Sequence, residues 1–215
     1  MDYLNLSFNK EDKIASGACA NIYQIKNENR LVVKKIKFTD VSLYLEHSNP
    51  FQKEVDTNYE LGMDDIAPKI YYYNIKKKYF VMEKMDYTLD YMKKNDMIQI
   101  KHIEKLIVLI TRLNNTLYRH GDLHYKNIMW SETLDDFRII DWGIYLKNKN
   151  FKQGGYMLRM LQYYVRKKYT QNKKWYYVYR DLLDIAPVPS RIENINDTKS
   201  YYSKINTFIL NNIFN

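Results

Sequence analysis

The feature that most restricts the fold is a change of hydrophobic period near Met85–Tyr87. Before it, apolar residues come in short runs rich in β-branched and aromatic side chains. These are KIASG, NIYQI and LVVKKIKF within residues 10–38, then KIYYYNI and KYFVMEKM. Such runs, bounded by turn residues, predict strands. Asn27 and Asn29 signal the turn between the second and third, and the lysines at 76–78 the turn between the last two. One helix is predicted among them, over residues 51–62, with Gly62 marking its end. After the change, Ile103, Leu106, Ile107, Ile110, Leu113 and Leu117 recur at helical spacing, which predicts an amphipathic helix over Ile100–Tyr118. The polar loop HGDLHYKN, a short IMW strand and an FRIID strand follow, and residues 156–183 again read as helix. The chain is therefore expected to be α+β, strand-rich over about residues 1–85 and helix-rich over about residues 86–215.

Composition narrows the setting. A single cysteine, Cys19, excludes an intramolecular disulfide framework and a multi-cysteine zinc site. No run approaches the roughly 18 apolar residues of a membrane helix. The opening MDYLNLSFNKEDK carries acids and no apolar core, unlike a secretory signal. No membrane span and an intracellular, cytoplasmic location are expected.

The net charge of +9 is concentrated in one place. Residues 147–180 hold ten Lys or Arg and no Asp or Glu, which leaves 24 basic and 25 acidic side chains elsewhere. Seven tyrosines and Trp175 are interleaved with those cations. Cations with stacking aromatics suit an acidic protein or single-stranded nucleic acid. The same pattern also fits an amphipathic helix with tyrosines packed and lysines solvated.

The chemistry is concentrated in His120-Gly121-Asp122-Leu123-His124-Tyr125-Lys126-Asn127. A carboxylate followed five residues later by an amide, between a helix and a strand, suits phosphoryl transfer. Asp122 can orient a hydroxyl and accept its proton, and the Asn127 oxygen can bind Mg2+. Asp141, fourteen residues on in IIDWG, offers a second hard oxygen donor. Taken singly, Asp122 and Asn127 cap turns and Asp141 ends a strand. Their joint spacing points to a site.

At this point the chain resembles the protein kinase superfamily, with HGDLHYKN similar to the catalytic loop and DWG to the magnesium-binding motif. Ala15-Ser16-Gly17-Ala18-Cys19-Ala20-Asn21-Ile22 is similar to the glycine-rich loop, although only Gly17 of its three glycines is present. Val32-Val33-Lys34 resembles the strand whose lysine holds the α- and β-phosphates. Strand alternation selects Lys34 over Lys35. Glu54 resembles the helix glutamate that pairs with that lysine; Glu60 shares the helix, but Glu54 has the matching spacing of twelve residues to Ile66. YFVMEKM resembles the last strand and hinge, with Met82 as gatekeeper and the backbones of Glu83 and Met85 as adenine contacts.

The resemblance, carried over residues 13–143, implies one bilobal protein-kinase-like domain, a β-rich N-lobe and a reduced helical C-lobe, with ATP and Mg2+ as substrate and cofactor. It implies a minimal Ser/Thr protein kinase with a protein substrate, of the sort large DNA viruses and bacterial effectors encode, acting in a host cell or virion. His124 stands where protein kinases carry a lysine, as in aminoglycoside and choline phosphotransferases, which keeps a small-molecule hydroxyl open as acceptor. The resemblance leaves open whether His124 or Lys126 meets the γ-phosphate, and Lys126 equally fits a solvated loop residue. A non-catalytic adaptor binding an acidic partner is the third reading, opposed by the presence together of Lys34, Asp122, Asn127 and Asp141. Gly121 replaces the arginine that receives an activation-loop phosphate, and no Ser or Thr occurs between Trp142 and Thr170. Ala186-Pro187 is followed by Val rather than Glu, and only 74 residues follow Asp141, which implies a missing peptide shelf.

Overall fold

The structure is a computed structural model and describes residues 9–17, 19–37, 50–143 and 145–147. In chain order a 3-10 turn, Lys10–Asp12, leads into β1 (Lys13–Ser16), β2 (Ala20–Ile25) and β3 (Glu28–Ile36). Then come α1 (Pro50–Met63), β4 (Ile70–Asn74), β5 (Tyr79–Glu83), β6 (Tyr87–Thr88), α2 (Leu89–Lys94) and α3 (Ile100–Asn115). β7 (Tyr118–His120), β8 (Ile128–Ser131), β9 (Asp136–Ile139) and β10 (Tyr145–Lys147) complete the described chain. It is an α+β protein, as expected. The chain divides into two units, Met1–Arg112 with His120–Lys147, and Leu113–Arg119 with Asn148–Asn215. The expected boundary near Met85–Tyr87 lies inside the first unit. The helix expected over 156–183, and the basic segment beyond Lys147, lie outside the described residues.

Five strands form an antiparallel sheet in the order β1-β2-β3-β5-β4. Alternation along β3 sorts its side chains between two faces. Leu31 and Val33 join Ile25, Tyr79 and Val81 in one buried cluster. Val32 joins Phe80 and Met82 on the opposite face, where Phe51 and Val55 of α1 cover them. Burying each such side chain is worth about 1.5–3 kcal/mol, so α1 is held firmly on that face. Lys34 sits two residues after Val32, opposite Phe80, and therefore points toward α1. The β2–β3 turn uses Asn27 with φ 60°, a left-handed position that asparagine tolerates. Asn29 is not part of that turn; it lies within β3.

A second antiparallel sheet has the order β6-β8-β9, with Trp130 paired to Phe137 and their rings edge-on at 4.8 Å. The short α2 had no counterpart in the sequence reading. Its signals are the Thr88 hydroxyl, which accepts the Tyr91 N–H at 3.1 Å, and the Lys94–Asp90 ion pair one turn apart at 2.7 Å. The long helix is shorter than its periodicity predicts. Leu106, Leu109, Ile110 and Leu113 are buried, but Leu117 is exposed and Tyr118 belongs to β7. Arg119 explains the early stop: its guanidinium donates to the carbonyls of Leu113 and Thr116 at 3.3 and 3.0 Å, satisfying the helix end. Among the described residues no helix is long and apolar enough to cross a membrane.

Gly62 does not terminate α1, which continues to Met63. Its role is close approach: a Cβ there would lie 3.2 Å from Lys69 Cα and 3.5 Å from the Pro68 carbonyl. Gly62→Val is expected to destabilise the protein by about 1–3 kcal/mol through overpacking, read as a lower urea midpoint with unchanged slope.

Candidate active site

Three elements meet at one ammonium group. β3 delivers Lys34, whose Nζ lies 2.5 Å from Glu54 Oε1 on α1 and 3.0 Å from Asp141 Oδ1 after β9. Lys34 and Glu54 are buried, whereas the Asp141 side chain is 54% exposed, so the cluster opens toward solvent on the Asp141 side. Burial opposes the Lys34 charge, but the carboxylates of Glu54 and Asp141 outweigh it and raise the ammonium above the ordinary lysine range. Lys34 in turn holds Asp141 below the usual carboxylate range, against its partial desolvation. Glu60, the other candidate on α1, is exposed. Lys35 points to the opposite face of β3.

Asp141 has φ 68°, in the left-handed region where Asp is among the few tolerated side chains. Hydrogen bonds of the neighbouring residues flank that position. Ile139 N–H donates to Ile66 O at 2.8 Å, Ile140 N–H to Asn127 O at 2.9 Å, and the buried Trp142 indole to Ile139 O at 2.8 Å. Backbone strain held by its surroundings is a recurrent property of functional positions.

The loop between β7 and β8 carries Asp122 and Asn127. Asn127 is buried and donates its side-chain N–H to Asp122 O at 2.9 Å, which leaves its amide oxygen as an acceptor. The Asp122 carboxylate is 64% exposed, with His124 Nε2 at 3.4 Å. Lys126 N–H donates to His124 Nδ1 at 3.2 Å, so the His124 N–H is on the Nε2 facing Asp122. Lys126 itself is exposed.

His120 was missed by the sequence reading. Its buried ring accepts the Asp122 N–H at Nδ1 (3.1 Å), lies 2.8 Å from Ile140 O at Nε2 and stacks edge-on against Trp142 at 4.7 Å. A carbonyl only accepts and a backbone N–H only donates, so both bonds require the neutral Nε2–H ring. One side chain thus joins the Asp122 loop to the segment bearing Asp141. The signal in the sequence is a histidine two residues before the acid; that it ends a strand, β7, is shown by the structure.

The donor set suits Mg2+. Asp141 and the Asn127 amide are hard oxygen donors, linked through the Ile140–Asn127 bond. Among the described residues no three His, Cys, Asp or Glu side chains converge, so phosphate and water would supply the remaining ligands. Mg2+ commonly binds in this way beside phosphates.

At the start of the five-stranded sheet, Ala15, Ser16 and Gly17 are exposed, and Ile22 packs partly against the face covered by α1. Ala18 lies outside the described residues. Gly17 N–H donates to Ala20 O at 2.9 Å, and Lys37 Nζ, unassigned from sequence, reaches Ser16 Oγ at 3.0 Å and the Gly17 carbonyl. Met82 is buried opposite Val32. The Glu83 carboxylate turns inward and accepts the Lys69 N–H at 3.0 Å. Lys84 and Asp86 N–H groups are bonded to Arg30 O and Trp130 O, while among the described residues Met85 N–H has no partner.

Comparison with protein-family models found no match, and comparison with curated proteins found none either.

Burial lowers the pKa of His120, opposed by the nearby Ile140 carbonyl and acids. A depressed histidine favours folding fully above its unfolded pKa of about 6.5 and loses that contribution as pH falls. His102, also lowered by burial, contributes in the same window. His120→Asn should therefore flatten, without abolishing, the fall in stability between about pH 6.5 and 5, measured by denaturant unfolding at each pH.

Proposed function

We propose that this chain is an ATP- and Mg2+-dependent phosphotransferase with a protein-kinase-like bilobal fold, acting on an alcohol hydroxyl, in the first instance a Ser or Thr of a protein. The observation that carries this reading is the Lys34–Glu54–Asp141 cluster, in which a buried ammonium is shared by a helix carboxylate and an acid 107 residues away. Two carboxylates around one ammonium leave a surplus negative charge, a setting suited to a divalent cation rather than to phosphate alone.

In this reading Glu54 orients Lys34, and Lys34 holds the α- and β-phosphate oxygens of ATP. The backbone of Glu83 and Met85 holds the adenine beside Met82, and the end of β1 with Gly17 covers the phosphates. Asn127 and Asp141 would hold Mg2+, which when bound would neutralise charge on the transferred phosphoryl group. Asp122 accepts the hydroxyl proton at a carboxylate oxygen as the acceptor oxygen bonds to the γ-phosphorus and the bond to ADP breaks. Neutral imidazole at His120 keeps the Asp122 backbone in place.

A small-molecule acceptor is the second reading. It is favoured by His124, whose Nε2 faces the Asp122 carboxylate where protein kinases place a lysine. Labelled γ-phosphate offered with a protein extract and a metabolite pool in parallel separates the two readings; label in neither pool would defeat both.

Asp141→Asn keeps a side chain that tolerates positive φ, so folding should persist while transfer is abolished. Turnover at the wild-type rate would remove Asp141 from the mechanism. Asp122→Asn should lower transfer by roughly 10²–10⁴-fold with little change in nucleotide affinity. A collapse of affinity with normal rate per bound ATP would mark Asp122 as structural.

A further inference from the structure

β9 leads directly into Asp141, and its Arg138 is 4% exposed. One nitrogen of that guanidinium, Nη1, donates to Asp136 Oδ2 at 2.9 Å and to Phe137 O at 2.8 Å. The other, Nη2, donates to Asp65 Oδ1 at 3.0 Å. Its Nε lies 3.9 Å from Glu83 Oε2 and, among the described residues, is the buried side-chain nitrogen without a hydrogen-bond partner. Glu83 is itself buried and bonded to the Lys69 N–H.

These contacts have a common geometry. Asp65 lies two residues beyond α1, the helix that carries Glu54. Glu83 opens the segment leading to Met85, and Arg138 precedes Asp141 by three residues. Two backbone bonds run alongside, Ile139 N–H to Ile66 O at 2.8 Å and Glu83 N–H to Lys69 O at 3.1 Å. A planar guanidinium with donors fixed in a fork can hold its own strand and the Asp65 turn at set angles, with Glu83 met as a charge at 3.9 Å; a lysine ammonium in its place keeps the charge but not the angles.

We propose that Arg138 is a positioning residue. Its guanidinium fixes the spacing between the Glu83–Met85 backbone and the Lys34–Glu54–Asp141 cluster, so that one nucleotide engages both ends at once. This inference rests on the nucleotide reading of the site. If spacing is what Arg138 supplies, its loss weakens a ligand that spans both ends and spares ligands that touch only one.

The test uses the full chain carrying Arg138→Lys, titrated calorimetrically well below its melting temperature with MgATP, adenosine and magnesium tripolyphosphate. The expected result is a loss on the order of tenfold for MgATP with the two fragments within about twofold of wild type, since linked ligands lose most when geometry fails. Equal weakening of all three ligands, or of none, would make Arg138 a support of the fold alone and overturn the proposal. Failure of the wild-type protein to bind MgATP and adenosine would overturn the nucleotide reading and this inference with it. Should Arg138→Lys not fold, Arg138→Gln with Glu83→Gln replaces it. That variant leaves no charge at the Glu83 contact, while Asp65 keeps Lys69 at 3.2 Å and Asp136 keeps Arg112 at 3.5 Å. The same spanning-ligand loss is expected there, and wild-type MgATP affinity in that variant would overturn the proposal.

Discussion

An ammonium taken out of water must be met by opposite charge, and the architecture around Lys34 follows from that demand. Strand alternation points Lys34 at the face where α1 packs, and Phe51 and Val55 bring α1 close enough for Glu54 to reach it. The second carboxylate comes from beyond β9, so the Asp141 segment must also be held in place. Ile66, Asn127 and Ile139 do this through main-chain and indole bonds. Such a cluster contributes little net stability, because desolvation consumes most of its Coulombic gain. Its value lies in specifying where three distant segments sit.

The parts of this arrangement that were legible in the sequence are those governed by local periodicity. Alternation in VVKK is enough to choose Lys34 over Lys35, whereas Glu54 is told from the exposed Glu60 by the twelve-residue interval to Ile66 that the family resemblance supplies. The Asp122–Asn127 spacing carries its own geometry because both residues belong to one short loop, closed by the Asn127 side-chain bond to Asp122 O. Period also overreached: Leu117 continues the apolar pattern of α3, yet Arg119 satisfies the helix end two residues before it.

What stayed hidden depends on long-range partners. Nothing near Arg138 in the sequence indicates Asp65, 73 residues earlier, and Asp65 reads simply as a turn residue after α1. Gly62 looks like a helix terminator by residue type, but its constraint is the passing Lys69 backbone, which only tertiary structure supplies. His120 belongs to the same class. Its type is visible, but its role depends on Ile140, twenty positions away.

Two aspartates of identical chemistry, each with more than half of its side chain exposed, are thereby held in different ways. Asp141 has an uncommon backbone angle, a buried cation on one oxygen and bonded neighbours on both sides. Asp122 has a bonded backbone but an exposed carboxylate facing a histidine N–H at 3.4 Å. On the proposed reading, a rigid carboxylate suits a group that must meet a nucleotide and metal in one geometry, because reorganisation at the moment of reaction is costly. An accessible carboxylate on a fixed backbone suits a base that must receive acceptors from solution and take a proton from each. His120 reconciles these demands: its single ring, held neutral by one donor and one acceptor, ties the backbone of the accessible acid to that of the rigid one while leaving the Asp122 side chain open. On the proposed reading, acceptor choice is then set by what lies around Asp122, and nucleotide geometry by what lies around Asp141, so the two can vary independently.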